Sequence, residues 1–161
     1  MTRLRRVQER TGIRIQRLPG AALRRWLVVL AFLALPVQAA FYGPYALTAP
    51  IAIDGDSIRA DVAIWPDMVA DVIIRVAGVD TPEKNSTSAC ERDLARKARE
   101  FTDAWVQANA PLLIGAVKPD KYSGRVDAVV TGKNGTSLSQ ALISAGHGRA
   151  YTGGARQAWC Q

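Results

Sequence analysis

Three short segments gather acids and arginines at the ends of apolar runs. The first is Asp54-Gly55-Asp56-Ser57, and the second is Arg75, then Val76-Ala77-Gly78-Val79, then Asp80-Thr81-Pro82-Glu83. The third is Asp120-Lys121-Tyr122-Ser123-Gly124-Arg125. Carboxylates brought close together repel one another and protonate in part unless a cation neutralises them. Oxygen donors without histidine or cysteine favour a hard ion, Ca²⁺ or Mg²⁺, over zinc. Planar guanidinium groups meet two phosphate oxygens at once. The combination therefore suits attack on a phosphodiester, where negative charge grows on the equatorial oxygens while a carboxylate handles a water. Asp-Gly-Asp alone is a common turn sequence; the three segments in this order are far more specific.

The elements that must position these residues can be read from periodicity. Ile58, Val62 and Ile64 lead into the turn signal Trp65-Pro66-Asp67-Met68, and the β-branched run Val72 to Val79 follows, which predicts a hairpin delivering the chain to Asp80. From Glu91 to Ala110 the period becomes helical, with Leu94, Ala98, Phe101, Trp105 and Ala108 forming an inward stripe. Arg92, Arg96, Lys97 and Arg99, interleaved with Asp93 and Glu100, read as a solvated helix face with local ion pairs. Leu112 to Val117 and Val126 to Thr131 read as strands around the polar connection Lys118 to Gly124. Ser137 to Ala145 reads as a short helix with Leu138, Leu142 and Ala145 inward, stopped at Gly146. Three strands, a helix, two strands and a helix make an α+β chain, and five short strands suit a partly open OB-fold-type barrel better than a βαβ sheet.

At 161 residues with 48% hydrophobic content the chain suffices for one domain with a core. Its formal charge is +7, but charge position matters more than the sum. Before Ala40, eight arginines (Arg3, Arg5, Arg6, Arg10, Arg14, Arg17, Arg24 and Arg25) face Glu9 alone, so the rest of the chain is neutral. Those arginines, the apolar run Trp26 to Pro36 and the small-residue sequence Val37-Gln38-Ala39 have the order of an export signal. Residues 1–39 are therefore expected to be a signal peptide or an uncleaved membrane anchor. Residues 40–161 are expected to form one domain that is secreted or periplasmic, or faces outward from the inner membrane. In such an oxidising compartment the only two cysteines, Cys90 and Cys160, are expected to form a disulfide. With His147 the only histidine, they are too few for a zinc site.

The three segments resemble the signature of the staphylococcal nuclease-like, or thermonuclease, family. The likeness covers about Ala46 to Tyr151 and includes Ala98-Arg99-Glu100-Phe101-Thr102 and Ala141-Leu142-Ile143-Ser144-Ala145-Gly146. The ending Tyr151-Thr152-Gly153-Gly154 with Trp159-Cys160 is similar to exported bacterial members that pair a late cysteine with one after Asp-Thr-Pro-Glu. The resemblance implies a calcium-dependent endonuclease acting on DNA or RNA, leaving 3′-phosphate and 5′-hydroxyl ends. It implies that Asp56 and Asp80 give carboxylate oxygens to one Ca²⁺ and Thr81 its backbone carbonyl, with Asp54 in support. By the same resemblance Glu83 holds or deprotonates the attacking water, Arg75 and Arg125 bind the phosphate, and Tyr122 and Tyr151 contact the nucleotide. Ser123 lengthens the Tyr-Gly-Arg run of that family by one residue, so Arg125 is expected to reach the phosphate from a different loop. His147 is expected to be a helix-end or partly packed histidine.

Two other classes compete with a monomeric nuclease. One is a non-catalytic OB-fold module that binds nucleic acid or oligosaccharide. The other is a tethered structural protein in which the acidic cluster serves only as a calcium staple. The full set Asp56, Arg75, Asp80, Glu83 and Arg125 favours the enzyme, and the neutral domain lacks the broad basic groove that metal-free binding would favour.

Overall fold

The computed structural model describes residues 42–160, so the expected signal or anchor at residues 1–39 lies outside the described residues. Five strands form a barrel: β1 (Tyr45–Asp54), β2 (Ser57–Trp65), β3 (Met68–Val76), β5 (Leu113–Pro119) and β6 (Arg125–Thr131). The strand order is β1-β2-β3-β6-β5. The barrel expected to be partly open is closed, because Tyr45 and Ala46 of β1 pair with Ile114 and Leu113 of β5. Strand β2 shows why one face turns inward: Ile58, Ala60 and Val62 are buried while Arg59, Asp61 and Ala63 face out, the period-2 alternation of a pleated strand. Ile74, Val76, Ile114, Ala128 and Val130 complete the interior.

Where β3 was expected to run on to Val79, it stops at Val76. Gly78 has φ +83°, which glycine adopts without a Cβ clash, and it turns the chain into a separate short strand, β4 (Val79–Asp80). That strand pairs with β7 (Arg149–Ala150), a two-stranded sheet the sequence did not announce.

Helix α1 (Ala89–Asn109) begins at Ser88, whose hydroxyl accepts from the Glu91 amide at 3.4 Å, an N-cap bond. Its inward stripe differs from the one expected. Ala95, Ala98, Thr102 and Val106 are buried, Leu94, Phe101 and Trp105 flank them, and Ala108 is exposed. Small residues on the contact line let the helix lie close to the barrel, and the large ones fill the sides. The opposite face carries Arg96 paired with Asp93 and Glu100, as expected of a solvated surface. In α2 (Leu138–Ser144), Leu138 and Leu142 are fully buried, but Ala145 follows the helix and is exposed, contrary to the expected inward position. His147 lies just past this helix, partly buried, with its ring 5.0 Å from that of Phe101.

Cys90 in the first turn of α1 is bonded to Cys160, 70 residues later in the chain. Closing a loop of that length stabilises a fold by about 4 kcal/mol in the chain-entropy account. Among the described residues no helix is long and apolar enough to cross a membrane.

Candidate active site

The β1–β2 hairpin turns on Gly55-Asp56, with Asp54 paired to Ser57. This turn has no room for a larger residue: a Cβ on Gly55 would lie 2.8 Å from the Cβ of Ala98 in α1 and 2.8 Å from Thr81. The buried Thr102 hydroxyl of α1 donates to the Gly55 carbonyl at 2.6 Å, and the Val76 amide donates to the Asp56 carbonyl at 2.8 Å. Helix, hairpin and β3 thus lock the first acidic segment in place.

Register carries the arginines to it. Ser57 of β2 pairs with Arg75 of β3, which places Arg75 beside Asp56. Strand β6 runs parallel to β3 with Ile73 opposite Arg125 and Arg75 opposite Asp127, so the second arginine enters the same end of the barrel. The extra Ser123 is absorbed in the loop before β6, where the Arg125 amide donates to the Tyr122 carbonyl at 3.3 Å. The pairing of β4 with β7 brings Tyr151 alongside, its amide donating to the Gly78 carbonyl at 3.1 Å.

The result is a cleft of about 1060 Å³ whose lining includes Asp54, Asp56, Arg75, Glu83, Tyr122, Arg125 and Tyr151. Arg75 bridges two acids, with Nη1 3.1 Å from Asp56 Oδ2 and Nη2 3.8 Å from Asp80 Oδ1. Asp80 is 4% exposed, and the cleft reaches it through the arginines. Thr81 is equally buried and packs under Gly55 rather than lining the cleft. Arg125 is aimed by Asp120, with Nε 3.1 Å from Oδ2 and Nη2 donating to Oδ1 at 3.2 Å. Its guanidinium lies 4.7 Å from the centre of the exposed Tyr122 ring. Burial would raise the Asp120 carboxyl, but the Tyr122 amide, Arg125 and Arg75 outweigh it and hold the group below the usual carboxylate range. The Tyr151 hydroxyl donates to the Gly154 carbonyl at 2.7 Å.

Sequence reasoning missed three contributors. Arg156 places Nε 2.9 Å from Asp80 Oδ1 and Nη1 on Glu83 Oε1. Glu91 accepts from the Glu83 amide at 3.1 Å and from the Ser86 hydroxyl at 2.6 Å, so the helix start grips the Asp-Thr-Pro-Glu loop. Lys84 approaches Asp54 at 3.8 Å. The one available signal was Ser88-Ala89-Cys90-Glu91, which has the spacing of a capping box; Arg156 has no comparable signature.

The donor set fits a hard cation on its chemistry. Asp54 Oδ1, Asp56 Oδ2 and Asp80 Oδ1 are buried without a hydrogen bond, the last two meeting guanidinium groups only as ion pairs. The Asp56 carboxyl is pushed up to about 6 by burial, with Arg75 opposing, Asp54 adding to the rise and Arg156 opposing again. A cation would relieve that excess of buried negative charge. Among the described residues no three acid, imidazole or thiol groups stand as a ready-made ligand set; Asp56, Asp80 and Glu83 are each held by an arginine instead.

A closed five-stranded barrel with two helices defines the OB-like α+β class of fold. Residues 73–158 match the family model described as staphylococcal nuclease homologue. The chain therefore belongs to that family, whose members are in general nucleic-acid hydrolases and generally use Ca²⁺. No curated protein matches it.

Proposed function

We propose that this chain is a calcium-dependent nuclease that hydrolyses phosphodiester bonds of DNA or RNA outside the cytoplasm. The observation that carries this reading is the convergence, in one cleft, of Asp54 and Asp56, Arg75, Glu83 and Arg125 from the three segments of chain. Asp56 and Asp80, with Asp54 nearby and the Thr81 carbonyl, would hold the cation. When bound there, Ca²⁺ supplies charge that screens the phosphate and polarises its P–O bonds.

The chain's own residues do the rest. Arg75 and Arg125 offer paired donors to the phosphate oxygens as their charge grows. Glu83 accepts a proton from the attacking water, whose oxygen bonds to phosphorus as the P–O5′ bond breaks; the departing O5′ takes up a proton from solvent, leaving a 3′-phosphate and a 5′-hydroxyl. Tyr122 and Tyr151 at the cleft edge contact the nucleotide. Contacts of this kind go to phosphate and sugar, so cleavage is tolerant of sequence. The Cys90–Cys160 disulfide and the leader at residues 1–39 support an oxidising, exported location.

The test is incubation of the purified protein with single- and double-stranded DNA and RNA, first with Ca²⁺ and then with a chelator. Cleavage that stops on chelation is the expected result. Binding of nucleic acid without cleavage would instead identify a non-catalytic OB-fold module, and stabilisation by Ca²⁺ alone would identify a structural calcium site.

A further inference from the structure

After β7, residues 151–160 form neither helix nor strand, yet they are clamped at three points. The Tyr151 hydroxyl binds the Gly154 carbonyl at 2.7 Å. Arg149 lies 3.9 Å over the Trp159 ring and donates to the Ala158 carbonyl at 3.1 Å. Cys160 is bonded to Cys90 at the start of α1, with the two Cα atoms 6.3 Å apart. Between these clamps Arg156 reaches into the cleft and pairs with both Asp80 and Glu83.

These are two of the carboxylates that the proposed reaction needs. Asp80 Oδ1 has a guanidinium nitrogen at 2.9 Å and is 4% exposed at the residue level. A divalent cation on that oxygen would stand against the Arg156 guanidinium at contact distance, where like charges repel. Cation binding and the Arg156 contact therefore oppose each other. The tether matters because it turns the arginine into an intramolecular ligand whose effective concentration is set by the linkage. Gly153 and Gly154, at φ +114° and +97°, supply the backbone freedom for the arginine to leave.

We propose that Arg156 is an internal competitor at the cation site, a disulfide-tethered guanidinium that occupies Asp80 and Glu83 and lowers the affinity for divalent cations. This rests on the calcium site under Proposed function. An arginine in place nine-tenths of the time weakens apparent cation affinity about tenfold, because only the open fraction binds. Loss of the Cys90–Cys160 bond loosens the competitor and tightens cation affinity, by a smaller factor than loss of the arginine itself.

The test is calorimetric titration of Ca²⁺, without substrate, into the wild-type chain, Arg156→Gln, Arg156→Lys and the double variant Cys90→Ser/Cys160→Ser. Arg156→Gln is expected to tighten the calcium Kd about tenfold, with Arg156→Lys nearer wild type and the double variant between. The calcium-induced rise in Tm should also be larger in Arg156→Gln. An equal or weaker calcium Kd in Arg156→Gln overturns the competitor while leaving the calcium site standing. Failure of every protein to bind calcium overturns both. Arg156→Gln decides the matter alone if the double variant does not fold.

Discussion

Arg75 Nη1 stands 3.1 Å from Asp56 Oδ2, and the same guanidinium reaches toward Asp80, so one arginine ties together the two acids assigned to the cation. Its side chain is 15% exposed; it is the main positive charge acting on Asp56 and shares Asp80 with Arg156. Arg75→Ala should therefore lower the melting temperature in chelator more than in excess Ca²⁺, since either cation relieves the same repulsion. Thermal unfolding under both conditions measures this. An equal drop in both would show that Arg75 is not the charge balance.

Glu83 is exposed in the cleft, and its carboxylate pairs with Arg156 of the tail rather than with a barrel strand. Glu83→Gln should lower kcat by roughly 10²–10⁴-fold with an unchanged unfolding midpoint. A variant that turns over at the wild-type rate removes Glu83 from the reaction.

That the segments meeting in the cleft stand out in the sequence, and Arg156 does not, has a physical basis. Asp56, Arg75, Asp80 and Arg125 sit at turns and strand ends with distinctive composition, and β-sheet register then brings them together. Arg156 lies in a tail without periodicity, and its place depends on a disulfide and on the short β4–β7 pairing. The barrel strands could be read from alternation, but the division of β3 from β4 rests on the single positive φ of Gly78. The expected helix stripe shares Ala98 with the buried line and is otherwise offset from it, because large apolar side chains such as Phe101 and Trp105 dominate the pattern. The contact line is made of Ala95, Ala98, Val106 and Thr102, the last a polar residue satisfied by a carbonyl outside the helix.

The Asp56 carboxyl sets a pH dependence. It titrates near 6 when folded, against 3.8 for an unperturbed group, so the folded chain holds a proton that the unfolded chain has released. The associated stability is present below about pH 4 and lost as pH rises through 6. In chelator, wild type should lose about 2 kcal/mol relative to Asp56→Asn between pH 4 and 7. Calcium affinity should run the opposite way, falling as pH drops below 6, because the ligand must be deprotonated. Parallel urea midpoints for the two proteins across this range would assign the titration elsewhere.

Arg125 depends on Asp120 for its aim. Arg125→Lys keeps the charge but loses the fork, and is expected to cost about 10²-fold or more in kcat/KM. Asp120→Asn leaves Arg125 charged but weakens its positioning, so its loss should be smaller and fall mainly on KM. Steady-state kinetics on a short oligonucleotide separate the two. Full activity in Arg125→Lys would exclude a bidentate phosphate contact.

The turn at Gly55 links the fold to the cation site most directly. An added Cβ would sit 2.8 Å from Ala98 and from Thr81, both buried and neither able to retreat without moving α1 or the Asp-Thr-Pro-Glu loop. Gly55→Ala should destabilise the chain by about 1–3 kcal/mol, the usual range for overpacking. It should also weaken calcium binding, because Asp54 and Asp56 flank the displaced residue while Asp80 precedes Thr81. Ala98→Gly removes the Cβ that opposes the new methyl, so in the double variant it should restore part of the calcium affinity even though glycine lowers helix stability. Loss of affinity that Ala98→Gly leaves unchanged would place the constraint on the Thr81 side of the turn.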